Sequence, residues 1–141
     1  MHLTNYSINK HSDSFESGGE DFSKGNKRNF AFLNKYIEGL GHSSEQMWND
    51  VASIIIKTII SIQPQLKQQY NYCTANTKLG DFNCFEILGF DILFDEKLSP
   101  WLLEVNHSPS FNTDTTLDQK VKFELLQETM KMLILDPIDR I

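Results

Sequence analysis

The sequence predicts an α/β protein of the α+β kind, with a mainly antiparallel sheet packed with helices. Three observations carry that expectation. Residues 43–62 are isoleucine-rich with a helical period, 84–94 and 101–106 are apolar stretches separated by a short polar turn, and the segment after 116 is amphipathic. With 141 residues, 40% hydrophobic and 11% aromatic, the chain has the composition of one globular domain or a large piece of one.

Taken in order, residues 3–8 are expected to form a short strand. The stretch 10–28 is dominated by Ser, Gly, Asp, Glu, Asn and Lys and reads as a flexible loop. An aperiodic segment of that length inside a compact domain tends to be a functional lid or an insertion. Helical character from 30 to 40 ends at Gly39 or Gly41, a common C-terminal stop. Ser43 then reads as an N-cap with Gln46 three residues on. Met47, Val51, Ile54, Ile55, Thr58, Ile59 and Ile62 continue at helical spacing, giving a core helix expected to pack on the sheet. Pro64 is expected to kink or restart that helix, because its ring clashes with the preceding turn and it lacks an N–H. Residues 66–72 then continue as helix before 71–81 loosens into loop. In 84–94 aromatic and aliphatic residues occupy both parities, the pattern of a strand buried on both faces. Asp95-Glu96-Lys97-Leu98-Ser99 reads as a turn and 101–106 as the second strand. After a polar loop, Thr116 is the candidate N-cap of a last helix carrying Leu117, Val121, Leu125, Thr129 and Met132 or Leu133 on one face. Trp101, Phe90 and Phe111 read as core, and His107 as a surface histidine.

Composition also narrows the function. The isoleucine run at 54–60 is broken by Lys57 and Thr58, so nothing approaches the roughly 20 apolar residues of a membrane span, and no membrane partner is expected. The first ten residues lack the apolar stretch of a secretory signal, and Cys73 and Cys84 are too few for a disulfide framework. A reducing, cytoplasmic setting is expected, with both cysteines as small core residues. Net charge is −6 with acidic residues spread along the chain, which argues against nucleic acid as a partner.

The chemistry gathers on the two apolar strands. A hairpin closed around 96–99 places Asp91 opposite Glu104, Leu93 opposite Leu102 and Gly89 opposite Asn106. Residues two apart in a strand share a face, and so do opposed residues, so Asp91, Glu104 and Asn106 converge. Two opposed carboxylates in an apolar hairpin repel and are costly to desolvate unless a cation compensates. Mg²⁺ takes oxygen ligands and one or two carboxylates, leaving its other positions to water and phosphates. Gly89 would let a ligand approach the backbone. The other reading of each carboxylate is a solvated edge residue.

The run Cys84-Phe85-Glu86-Ile87-Leu88-Gly89-Phe90-Asp91-Ile92-Leu93-Phe94, followed by Pro100-Trp101-Leu102-Leu103-Glu104-Val105-Asn106-His107-Ser108-Pro109-Ser110-Phe111, resembles the signature of tubulin tyrosine ligase-like enzymes. His2-Leu3-Thr4-Asn5-Tyr6-Ser7-Ile8-Asn9-Lys10 is similar to a second motif of that family. The resemblance runs from His2 to about Leu133. With Tyr6-Ser7-Ile8-Asn9-Lys10-His11 it is nearest to the glutamylating branch, the tubulin polyglutamylases that elongate chains.

The resemblance implies an ATP-grasp fold, of which residues 1–141 form a single partial domain, its C-terminal half. It also implies that Asp91, Glu104 and Asn106 hold Mg²⁺ between the phosphates of ATP, as the catalytic and metal-binding set. Thr4 and Asn5 would contact ATP, and Tyr6, Ser7 and Lys24 would hold free L-glutamate. Without the resemblance, Lys24 reads as a solvated loop lysine and Tyr6 and Ser7 as a half-buried strand pair. The implied reaction is phosphorylation of a glutamate side chain on a tubulin tail, giving an acylphosphate that the amino group of free glutamate attacks. Microtubules and their acidic C-terminal tails are the implied partners, and the cytoskeleton, including the cilium or basal body, the implied location.

The family's adenine-binding residues, phosphate-binding lysines and a glutamate-binding arginine are expected upstream of Met1. A basic extension is expected beyond Ile141, since Lys24, Lys27 and Arg28 form only a small cluster against an acidic tail. The alternative is a catalytically inactive truncated fragment that acts as a binding or regulatory module.

Overall fold

A computed structural model describes residues 11–16, 24–75 and 84–133. In chain order the elements are α1 (Phe30–Gly39), α2 (Ser44–Thr74), β1 (Gly89–Phe94), β2 (Pro100–Asn106) and α3 (Thr116–Met132). The α+β class stands, with β1 and β2 pairing antiparallel. The chain divides into two compact units, one holding α1 and α3, the other α2 and the hairpin. The expected strand at 3–8 lies outside the described residues. Of the loop at 10–28, residues 11–16 and 24–28 are described and contain neither helix nor strand.

In the first unit, Asn29 caps α1 by accepting the Phe32 N–H at 2.8 Å. The helix stops where the Leu40 N–H turns back to the carbonyls of Tyr36 and Ile37, followed by Gly41 at φ 83°, a conformation that favours glycine. Ile37 is the deeply buried side chain of this helix. Thr115, not Thr116, caps α3. Its hydroxyl accepts the Asp118 N–H at 3.1 Å, and the Asp118 carboxylate accepts the Thr115 N–H at 3.2 Å. This reciprocal capping box needs an acidic or amide side chain three residues after the cap, which Asp118 supplies for Thr115. Of the expected apolar face, Val121 and Leu125 are exposed, and the buried residue is Thr129, whose hydroxyl donates to the Leu125 carbonyl at 2.8 Å.

In the second unit, Ser43 caps α2 as expected, accepting the Gln46 N–H at 3.1 Å. The helix runs unbroken through Pro64 to Thr74 instead of restarting there. Residues 60–69 are exposed, so water can satisfy the carbonyl that the Pro64 ring deprives of its partner. Met47 and Val51 are buried near the start of α2, and the helix packs against β2. Farther along the expected core face Ile54, Ile55, Thr58 and Ile59 are half-buried and Ile62 is exposed, while Ile56 and Ile60, off that face, are exposed.

The first strand is shorter than its apolar run. β1 starts at Gly89, opposite the last residue of β2, and residues 84–88 have no partner strand among the described residues. Cys84, Phe85 and Glu86 are exposed, and so is Cys73, so neither cysteine is a core residue. Trp101 and Phe111 are exposed as well, a surface position for rings expected in the core.

Asp95 organises the turn between the strands. Its Oδ1 accepts the N–H groups of Lys97 and Ser99, each at 2.9 Å, and its Oδ2 accepts the Trp101 indole N–H at 3.1 Å. These bonds, the Trp101 one foremost, hold the Asp95 carboxyl below the usual range. Leu98 sits at φ 61°, a left-handed conformation that the surrounding bonds impose on a non-glycine residue.

Candidate functional site

The hairpin register sets the site. Asp91 pairs with Glu104 and Gly89 with Asn106, as a simple hairpin requires. The pairing then shifts: Ile92 meets Leu102 and Leu93 meets Trp101, where Leu93 was expected opposite Leu102. Leu103 is the extra residue of a β-bulge between the Asp91 and Ile92 pairs, and such bulges re-aim neighbouring side chains. The turn end of the hairpin is therefore out of phase with its site end.

Beyond the bulge Glu104 lies beside both Asn106 and Asp91. The Asn106 amide donates to Glu104 Oε1 at 3.1 Å, and Glu104 is paired with Asp91 across the hairpin. Asp91 titrates above its ordinary range, because burial penalises its charge and because the Glu104 carboxyl both shares a hydrogen bond with it and repels its anion. Asp91 and Glu104 remain open to solvent and Asn106 is half-buried, so the face is accessible.

This donor set fits a hard cation. Among the described residues no group of three His, Cys, Asp or Glu side chains is placed to hold a metal, and this face offers two carboxylates and one amide. Mg²⁺ is the ion that works with so few protein ligands, since it keeps water and phosphate oxygens in its remaining positions.

Gly89 serves packing where ligand access was expected. A Cβ there would lie 3.3 Å from the Pro109 side chain and 3.5 Å from Asn106 Cβ, so the absent side chain lets the chain after β2 close over the strand. His107 is exposed, as expected, with Nδ1 2.9 Å from the Ser108 hydroxyl.

Of the remaining predicted residues, only Lys24 is among those described. Thr4, Asn5, Tyr6 and Ser7 lie outside the described residues. Lys24 is exposed, in a bend in the unit that holds α1 and α3. Lys27, expected as an exposed basic residue, is instead part-buried and paired: its ammonium lies 3.1 and 3.0 Å from the two oxygens of Asp118. Burial raises the Asp118 carboxyl, but Lys27 and the Thr115 hydroxyl outweigh it, and the net position is below the ordinary value. No local pattern advertises a pair so far apart in sequence. The Thr115-x-x-Asp118 spacing of a capping box could have marked Asp118.

Fold and site thus define an α+β chain whose hairpin presents two carboxylates and an amide on one face. The profile of the tubulin-tyrosine ligase family matches residues 1–140, and the chain belongs to that family. It is 50% identical over 140 residues to tubulin polyglutamylase TTLL6 of Homo sapiens, covering 99% of this chain and 15% of that protein. Tubulin polyglutamylase TTLL13 of Mus musculus is 48% identical over 99% of this chain, which spans 17% of it. A probable beta-tubulin polyglutamylase of Tetrahymena thermophila is 43% identical over 94% of this chain, which spans 11% of it. The chain therefore corresponds to a small part of each of these relatives.

Proposed function

We propose that this chain is the metal-binding part of an ATP-dependent ligase that adds glutamate to glutamate side chains of tubulin tails. The observation that carries the proposal is the meeting of Asp91, Glu104 and Asn106 on one accessible hairpin face, in a chain half identical to a tubulin polyglutamylase. In this reading both compact units are parts of one partial domain, the C-terminal half of an ATP-grasp domain, with residues 10–28 as a flexible loop.

Asp91, Glu104 and Asn106 would hold Mg²⁺, with the two carboxylates supplying charge and the amide oxygen a neutral ligand. When bound, the ion neutralises charge on the phosphoryl group in transfer. Thr4 and Asn5 orient ATP. Tyr6, Ser7 and Lys24 hold free L-glutamate, the lysine pairing with a carboxylate so that the amino group faces the activated acceptor, a contribution of proximity. The tubulin carboxylate takes the γ-phosphoryl group of ATP, the glutamate amine attacks the resulting acylphosphate carbon, and phosphate leaves as the amide bond forms. No protein nucleophile is needed. The setting is the microtubule cytoskeleton, including cilia or basal bodies.

The exposed apolar side chains of α2 and β2, among them Ile56, Ile60, Trp101 and Leu103, support this reading, since exposed apolar side chains are what further protein covers in a two-lobed enzyme. The test is incubation with Mg·ATP, glutamate and microtubules, followed by mass spectrometry of the tubulin tails. The reading predicts glutamate-sized additions that Glu104→Gln abolishes. A chain that adds no mass and shows no ATP-dependent thermal shift is instead a binding or regulatory module.

A further inference from the structure

We propose that Lys27 and Asp118 are positioning residues, locking the 24–28 loop into the shape from which Lys24 meets the incoming glutamate. The inference rests on the reading of Lys24 given above and adds to it the device that makes a loop lysine an effective ligand.

The anchor is fixed from the helix side. Asp118 Oδ2 already accepts from the Thr115 backbone N–H at 3.2 Å and is 2.9 Å from the Thr115 hydroxyl, so the carboxylate cannot swing without breaking the cap of α3. The Lys27 ammonium then bridges both carboxylate oxygens, at 3.1 and 3.0 Å, with the Asp118 side chain only 14% exposed. Ordering a lysine side chain costs up to about 2 kcal/mol of rotamer entropy, a cost that a screened surface pair does not recover and a part-buried one can.

The loop is held at its other residues as well. The Asn26 N–H donates to the Glu16 carbonyl at 3.0 Å, and the Glu16 N–H donates to Asn26 Oδ1 at 2.9 Å. Arg28 Nε donates to the Gly25 carbonyl at 3.0 Å while its guanidinium lies 4.4 Å from the Phe32 ring centroid. Gly25 takes φ 78°, which permits the tight turn between them. Lys24 immediately precedes these contacts and is exposed. Two of these contacts reach Glu16, and the two made by Arg28 are local to the loop and the start of α1. The Lys27–Asp118 bridge ties the loop to α3, the start of a helix 91 residues on.

A flexible lysine captures a carboxylate only after its backbone is ordered, and ordering before binding raises affinity without adding a contact. The bridge supplies that order. It also neutralises Lys27, so the second lysine of the loop does not compete for the ligand's charge.

The test uses the full chain with two near-isosteric variants. Lys27→Met keeps the side-chain stem, and Asp118→Asn keeps a capping oxygen, so both retain α3. L-glutamate affinity is measured by calorimetry with Mg·ATP present, and ATP affinity separately. The inference predicts that each variant weakens glutamate about five- to tenfold, in line with a coupling of ordinary size between linked residues, and leaves ATP within about twofold. The double variant should be no worse than either single one, Lys27→Arg should restore most of the affinity, and amide exchange at 24–28 should quicken in Lys27→Met. If both variants lower the melting temperature but leave glutamate affinity intact while Lys24→Ala weakens it, the pair is merely structural and the inference fails alone. If Lys24→Ala changes nothing, or the native chain does not bind glutamate, the reading of Lys24 fails and takes the inference with it.

Discussion

Removing a charge from the candidate metal face should stabilise the protein when no divalent cation is present. In Asp91→Asn the Glu104 carboxylate loses a repelling neighbour and gains an amide of the kind Asn106 already offers it. The sign follows from linkage. The Asp91 carboxyl titrates above the ordinary value of about 3.8 because of burial and of Glu104, so the folded state holds that proton more tightly than the unfolded chain. Ionising it therefore costs stability, a cost absent below about pH 3.8 and fully present above the raised folded value. Directly opposed like charges cost about 0.2–1 kcal/mol, and the solvent around Asp91 places this pair in the lower half of that range. For a chain of this size that is a rise of about 1–2 °C in melting temperature at pH 7 in chelator. Thermal melts of both proteins, in chelator and in millimolar Mg²⁺, make the assay. The native protein should gain stability from Mg²⁺ and the variant should not, so the order of the two melts reverses. A variant that melts below the native protein in chelator at pH 7 would refute the charge argument, because the carboxylate would then be contributing stability without a cation.

Asp118 should show the opposite pH dependence. Its carboxyl is held below the ordinary value, so its contribution is complete above about pH 3.8 and is lost as pH falls through the lower folded value. Asp118→Ala removes both half of the capping box and the Lys27 bridge, and urea melts at pH 7 should show a loss of about 1–3 kcal/mol that shrinks toward pH 2. Asp95→Ala should release the turn and the Trp101 indole together, seen as a change in tryptophan emission and faster amide exchange at Lys97 and Ser99. Gly89→Ala presses a methyl to 3.3 Å from Pro109, and should weaken Mg²⁺ binding by shifting the chain that carries Asn106.

The part of the site legible in the sequence is the part governed by local rules. Alternation along two short strands put Asp91 and Glu104 on a common face, and antiparallel pairing joined Gly89 to Asn106. The same rule failed beyond Asp91, because strict alternation has no place for an extra residue such as Leu103. Helix starts were legible to within one residue. Thr115 and Thr116 are equal as caps by type, and only the reach of Asp118 back to the Thr115 N–H separates them. The apolar run at 84–94 and the isoleucines of α2 overstated burial, since hydrophobicity says that a side chain seeks cover but not whether these units provide it. Least legible was the Lys27–Asp118 bridge. It joins a polar loop to a helix cap 91 residues on, and composition makes that lysine look like any solvated one.

The most direct measurement is a Mg²⁺ titration of isotopically labelled protein, followed by nuclear magnetic resonance at the Asn106 side-chain amide and the Asp91 and Glu104 carboxyl carbons. All three signals should move together with one dissociation constant and tighten when ATP is added, and in Glu104→Gln the Asn106 and Asp91 signals should stay fixed. If Asn106 does not respond while the carboxylates do, or if the three report different affinities, these side chains do not share an ion.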